Sequence, residues 1–193
     1  MKSVLMSIQP YWVFLIIARK MGWNIDKEKT IEVRKNFPKD KDWNRNVEIY
    51  CSKDKKSFSK IPKEYQPLME KFLGKVIGEF VCDRIDDFSR WEYDYFSLLR
   101  HINLFAGTNG DYKFLNYYLK GQKNGYGWHI TDLKIYDTPK DLSKFKKAGW
   151  LSYDDWLYGL YPNTHCTYDA LAKRFEISKP PQSWCYVEEL QNG

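Results

Sequence analysis

No stretch of this 193-residue chain keeps one periodicity for long. Runs rich in β-branched and aromatic residues, such as Val4–Ile8, Lys29–Arg34, Val47–Ser52 and Trp184–Val187, are short and separated by Pro, Gly, Asn and Asp. The helical patterns between them are equally short. Pro10 suits the first turn of a helix over Tyr11–Arg19, because its missing N–H has no partner there in any case. Short strands mixed with short helices predict an α+β protein, a small mixed β-barrel decorated by short helices.

The other elements follow from the same patterns. Lys53–Lys63 reads as a polar, Lys-rich loop, Glu64–Leu73 as a short helix closed by Gly74, and Lys75–Ile85 as one long apolar strand. Thr108–Leu119 has a Thr cap and a terminal Gly121, which predict a helix. Gly125–Tyr136 predicts one strand bent near Gly127, and Pro139–Phe145 a short helix. The length suits one domain over 1–193.

Composition narrows the function. Aromatics make up 18% of the chain, too many for a largely disordered segment, and a mean hydropathy of -0.65 excludes a membrane protein. The apolar N-terminus is split by Gln9-Pro10 and falls short of the ~20 residues that span a bilayer. Arg19-Lys20 follow it where a signal peptide would carry its cleavage site, so the reading is cytoplasmic. The four cysteines, Cys51, Cys82, Cys166 and Cys185, form no CxxC, and adjacent His165-Cys166 are poorly placed to share one metal. The expectation is core thiols, no metal and no cofactor. The net charge of +6 is localised: residues 19–75 hold 16 basic and 9 acidic residues, a surplus of +7. That surplus serves either as a solubilising surface or as an attractor of polyanions.

The most informative segment is Lys29-Thr30-Ile31-Glu32-Val33-Arg34. On a strand, Ile31 and Val33 share one face, turned to the core, while Thr30, Glu32 and Arg34 share the other. One carboxylate then stands between cations. An ionised Glu32 accepts a hydrogen bond from a base amino group such as cytosine's, and Lys29 and Arg34 meet phosphate or carbonyl oxygens. The alternative is a solvated strand face whose charges pair with one another.

These residues carry a resemblance. Ser7-Ile8-Gln9-Pro10, a short helix, Glu28 to Arg34, a strand with Tyr50, Val76-Ile77-Gly78-Glu79-Phe80, His129 to Tyr136 and the closing Pro180 to Val187 together resemble the ASCH domain of bacterial and phage proteins. The resemblance implies a PUA-like β-barrel whose cleft, bordered by the first helix and lined by Lys29, Glu32 and Arg34, binds single-stranded RNA or a modified nucleotide. One enzymatic branch of that family hydrolyses N4-acetylcytidine with a Lys and a Thr three residues later. Here Glu32 stands at the Thr position. A carboxylate suits a general base for water rather than an acyl-accepting nucleophile. If the protein is a hydrolase, Lys29 and Glu32 are therefore its catalytic pair, acting on RNA or an acylated nucleoside.

Tyr11 and Trp12 open the first helix beside that cleft. Each is a stacking platform for a base or a core ring, and Tyr50, Tyr126 and Trp128 face the same choice. The Lys53-Asp54-Lys55-Lys56 run is either a solvated face or a grip on a nucleic-acid backbone. His129 is either a general base or a half-buried structural histidine. Asp83, Asp86, Asp87 and Glu92 are equivalent candidates for a further acid. The aromatic segment 88–107 also suits a protein-docking surface.

Overall fold

The computed structural model describes residues 2–26, 28–87, 125–149 and 167–189. The helix expected over Thr108–Leu119, the segment 88–107, most of 150–175 and Cys166 lie outside them. In chain order the described elements are β1 (Lys2–Ile8), α1 (Pro10–Ile17), β2 (Ile31–Arg34), β3 (Trp43–Cys51), α2 (Lys55–Phe58), α3 (Gln66–Glu70), β4 (Val76–Val81) and β5 (Ile85–Asp87). Then come β6 (Tyr126–His129), β7 (Thr131–Lys140), a single 3-10 turn (Leu142–Lys144), β8 (Phe145–Lys147), α4 (Tyr168–Phe175) and β9 (Trp184–Glu189).

The fold is mixed α+β, with two sheets. Six strands run in the order β7-β4-β3-β1-β9-β8, and three in the order β2-β6-β5. β1 and β3 are parallel, and every other pair is antiparallel.

Two expected long strands each turn from one sheet into the other. Lys75–Ile85 divides into β4 and β5 at Cys82-Asp83-Arg84, and Gly125–Tyr136 divides into β6 and β7 at Ile130 rather than bending at Gly127. The two corners are stitched together: the His129 amide donates to the Arg84 carbonyl (3.0 Å) and the Thr131 hydroxyl to the Val81 carbonyl (2.8 Å). Asp132 just past the second corner takes the left-handed conformation, with φ 47°. At Gly78 the ladder runs so close that an added Cβ would strike the Lys134 carbonyl.

Two further expectations are corrected. β7 continues through Pro139 to Lys140 where a helix was predicted. β7 is the edge strand of its sheet, and an edge tolerates a residue with no N–H to donate. The Lys-rich loop contains α2, capped by Asp54, whose Oδ1 accepts the Ser57 amide at 2.9 Å.

Helix α1 buries Pro10 and Val13 to Ile17, as its nearly all-round apolar sequence predicts. It packs in the larger apolar cluster with Val4, Met6, Ile8, Val47, Ile49, Phe80 and Trp128. A smaller cluster joins Leu5, Tyr50, Val76, Phe145, Ile177 and Val187. Strand residues of alternating parity fall into the two clusters, so the six-stranded sheet is covered on both faces. Cys51 and Cys82 are buried and unbridged, and burial pushes both thiols up to about 12.

Candidate functional site

Every residue of β2 is buried: Ile31, Glu32, Val33 and Arg34 expose between 2% and 8%. The chain reaches β2 along α1, where the Lys29 amide donates to the Leu15 carbonyl (3.1 Å). Lys29 is itself only 5% exposed.

The three charged side chains meet. Glu32 Oε1 lies 3.0 Å from Arg34 Nη2, and Glu32 Oε2 lies 3.3 Å from Lys29 Nζ. Arg34 Nη2 also donates to the Ser7 carbonyl of β1 at 2.8 Å. The Lys29 ammonium sits 4.9 Å from the centre of the Trp12 ring. Burial pulls the Lys29 pKa below its usual 10.5, and the Glu32 carboxylate works against that pull.

Register fixes which side of the small sheet this is. Glu32 pairs with Trp128, and Arg34 with Tyr126, so these four side chains share a face. The face turns toward the larger sheet. Trp128 packs against Trp43 of β3 (5.6 Å between ring centres) and Trp184 of β9 (5.8 Å), and Arg34 reaches β1. The sequence predicts that Ile31 and Val33 face the core and the charges face outward. Ile31 and Val33 are indeed buried, but it is the charged row that looks into the space between the sheets.

That placement leaves polar groups short of partners. Among the described residues, four buried side-chain polar atoms make no hydrogen bond: Glu32 Oε2, Arg34 Nε, Trp128 Nε1 and Ser52 Oγ. Three of the four belong to this one face. Each such atom costs about 1–3 kcal/mol when left unsatisfied. The neighbouring indoles show that the fold satisfies such groups elsewhere: Trp184 Nε1 donates to Asn36 Oδ1 (2.7 Å) and Trp43 Nε1 to the Asn46 carbonyl (3.1 Å).

The other sequence candidates divide. Trp12 joins the group through Lys29. Tyr11, half-buried, stacks edge-on against Trp12, with 5.3 Å between ring centres. Tyr50 lies in the smaller cluster with Leu5, Val76 and Phe145, and burial raises its pKa. It makes no hydrogen bond to Lys29, Glu32 or Arg34.

Of the candidate acids, register places Asp87 in the row of Tyr126 and Arg34. Asp86 stands opposite Gly127 on the other face, where its Oδ2 is 2.7 Å from His129 Nε2 and its Oδ1 is 3.1 Å from Arg84 Nε. Glu92 lies outside the described residues. Trp128 as a polar group is what sequence reasoning misses. An indole in a strand reads as core or as a stacking ring, and nothing local shows that its N–H goes unbonded.

Among the described residues no group of three His, Cys, Asp or Glu could hold a metal ion, and no helix is long and apolar enough to cross a membrane. No family model and no curated protein matches the chain. Solved structures do. The crystal structure of ASCH from Zymomonas mobilis has 16% identity to this chain and a TM-score of 0.48, covering 96% of this chain and 87% of that one. A tyrosine-to-phenylalanine mutant of the same protein gives 16% identity and a TM-score of 0.49 over 97% of this chain and 91% of that one.

Proposed function

We propose that this chain is an ASCH-type, PUA-like domain over 1–193, with insertions at 88–107 and 150–175, that binds a single unpaired base of RNA or a modified nucleotide in the cytoplasm. Its two sheets form the barrel of that reading, with Lys29, Glu32 and Arg34 as the recognition group. The observation that carries the proposal is a set of three atoms that make no hydrogen bond, one acceptor (Glu32 Oε2, ion-paired with Lys29 at 3.3 Å) and two donors, gathered on one buried face. A ligand that satisfies them offers one donor and two acceptors. The pairing edge of a pyrimidine has that complement, whereas guanine offers two donors and one acceptor and adenine one of each. In cytosine the amino group donates to Glu32 Oε2 while the ring nitrogen and carbonyl accept from Arg34 Nε and Trp128 Nε1; in uracil the imino group donates and the two carbonyls accept. Trp12, beside the Lys29 ammonium, is the stacking ring.

Titration of the four nucleoside monophosphates at low salt, followed by tryptophan fluorescence, tests the assignment. Pyrimidine nucleotides bind more tightly than purine ones, and Glu32→Gln loses at least tenfold in affinity while its melting curve stays cooperative. Should Glu32→Gln not fold, Trp128→Phe, which deletes only the indole donor and part of a ring, shows the same loss. Equal affinity in a folded variant, or no nucleotide binding at all, overturns the proposal.

Turnover at the same site is the second reading, favoured by Glu32 Oε2, a carboxylate oxygen that accepts no hydrogen bond and faces the Lys29 ammonium at 3.3 Å. Release of free acid from an acylated cytidine by the wild type, absent in Glu32→Gln, is its signature.

A further inference from the structure

Lys29, Glu32 and Arg34 are buried, so whatever meets them must first pass the chain around them. That chain is fastened in two different ways. Residues 18–30 are held by the main chain. The Trp23 amide donates to the Ala18 carbonyl (2.9 Å), the Lys29 amide to the Leu15 carbonyl (3.1 Å) and the Ile130 amide to the Thr30 carbonyl (2.9 Å). Residues 36–42, which follow β2 and lead into β3, are held by side chains. Among the described residues their one main-chain hydrogen bond is local, from the Trp43 amide to the Asp40 carbonyl at 3.4 Å.

The pins of this strap are specific. Asn36 Oδ1 accepts the Trp184 indole N–H at 2.7 Å. The Phe37 ring packs on Tyr126 with 4.6 Å between centres, and Pro38 is buried. Asp40 is tied to both β1 and β9. Its carboxylate lies 2.8 Å from Lys2 Nζ, and its amide donates to the Tyr186 hydroxyl at 2.9 Å. Both members of the ion pair are partly exposed, so the pair is weak and salt-screened.

The pins land on the rings around Trp128. Tyr126 shares its face of β6, and Trp184 packs on it from β9. The strap therefore spans the gap between β6 and β9, and the unbonded N–H groups of Trp128 and Arg34 lie on the face behind it.

We infer that residues 36–42 are a gate over the buried charged group, latched by Asn36 on Trp184 and by Asp40 on Lys2. When the latches part, the strap lifts between its β2 and β3 ends while both sheets stay paired. A segment held by a few side-chain contacts opens at lower free energy than a strand held by a ladder. The identity of what passes rests on the proposed base-binding reading; the opening does not.

Trp128 Nε1–H reports the gate. A buried N–H without a hydrogen bond exchanges with solvent only when water reaches it. Hydrogen exchange of indole and amide protons is followed by NMR in the wild type and in an Asn36→Ala/Asp40→Asn variant. Asparagine at 40 removes the charge and keeps an oxygen for the Asp42 amide, which Asp40 Oδ1 accepts at 3.0 Å. With one hydrogen bond and one exposed ion pair lost, the Trp128 indole proton exchanges roughly tenfold faster, while the Val47 and Ile49 amides of β3 keep their wild-type rates. If the double variant does not fold, Lys2→Met, which removes the ion pair alone, gives a selective acceleration of roughly threefold. Unchanged indole exchange in the folded variant overturns the gate. Equal acceleration of the β3 amides overturns it too, because the whole fold has then loosened. Stopped-flow mixing with cytidine monophosphate separates the gate from the base site. Faster association in the variant supports both; selective indole exchange with no nucleotide bound by either protein supports the gate and removes the base site.

Discussion

Glu32 and Glu48 are both carboxylates buried in strands, 5% and 4% exposed, and their surroundings differ in kind. Glu48 lies in the middle of β3, beside Leu5 of β1, and its Oε2 accepts the Tyr136 hydroxyl at 2.7 Å. Lys140 sits over the Tyr136 ring at 4.0 Å. Glu32 is gripped by two cations, yet one of its oxygens makes no hydrogen bond, and the donors nearest in register, Arg34 Nε and Trp128 Nε1, make none either. Glu48 is matched to a donor from its own chain at short range. Glu32 faces two cations, but one of its oxygens keeps unfilled hydrogen-bonding capacity, which on the proposed reading a ligand fills. Ion pairing alone does not separate the two; the count of unsatisfied atoms does.

The largest expected effect breaks the charge balance at Glu32. Glu32→Gln leaves two buried cations facing each other and lowers stability by about 3–5 kcal/mol, read from the denaturant midpoint. A triple Lys29→Met/Glu32→Gln/Arg34→Met variant recovers most of that loss and binds no nucleotide. A triple variant that stays as unstable as the single one makes Glu32 a packing residue like Glu48.

At Glu48 the expected effect is smaller and falls on stability alone. Tyr136→Phe removes a hydrogen bond to a charged group and costs about 1.5–3 kcal/mol, with nucleotide affinity unchanged. A change in affinity would erase the distinction between the two carboxylates.

The third effect is a pH dependence with a definite sign. Burial lowers the Lys29 pKa below 10.5 in the folded protein. In the window between that lowered value and 10.5 the unfolded chain holds a proton that the folded chain has released. Stability therefore gains from this group as pH rises through the window. Ligand affinity moves the other way, because the ammonium disappears. Isothermal titration across that window shows affinity falling in the wild type, and a flat, weaker profile in Lys29→Met.

The smallest effect concerns the thiols. Cys51 and Cys82, pushed up to about 12, stay unlabelled by a disulfide reagent at pH 8 in the native protein and react only on unfolding. Labelling of either at the rate of a surface thiol would mean that the six-stranded sheet opens far more readily than the burial of these residues implies.

The sequence made the local elements readable and the turns between sheets unreadable. Alternation in Ile31–Arg34 and the Pro10 start of α1 have local causes, so β2 and α1 stand where they were expected. The corners at Cys82–Arg84 and Ile130 have no glycine to announce them. They exist because two paired strands, β4 with β7 and β5 with β6, pass together from the six-stranded to the three-stranded sheet. Pro139 looked like a helix signal because its permissive setting, an edge strand, is a property of the assembled sheet. The charge triplet was visible in the sequence; its inward direction was not, since alternation names two faces without saying which one the rest of the protein will cover. Trp128 as a donor needed the tertiary structure, because an unbonded N–H is defined only by what fails to surround it.

Parallel neighbours cannot be joined by a tight turn, and β1 and β3 are parallel neighbours. The chain must leave the end of one strand and travel back to the start of the other, and residues 9–42 are that return journey. Trp12, Lys29, Glu32 and Arg34 all ride on it. On the proposed reading, substitutions along this excursion reshape what is recognised while β1 and β3 at either end hold the larger sheet.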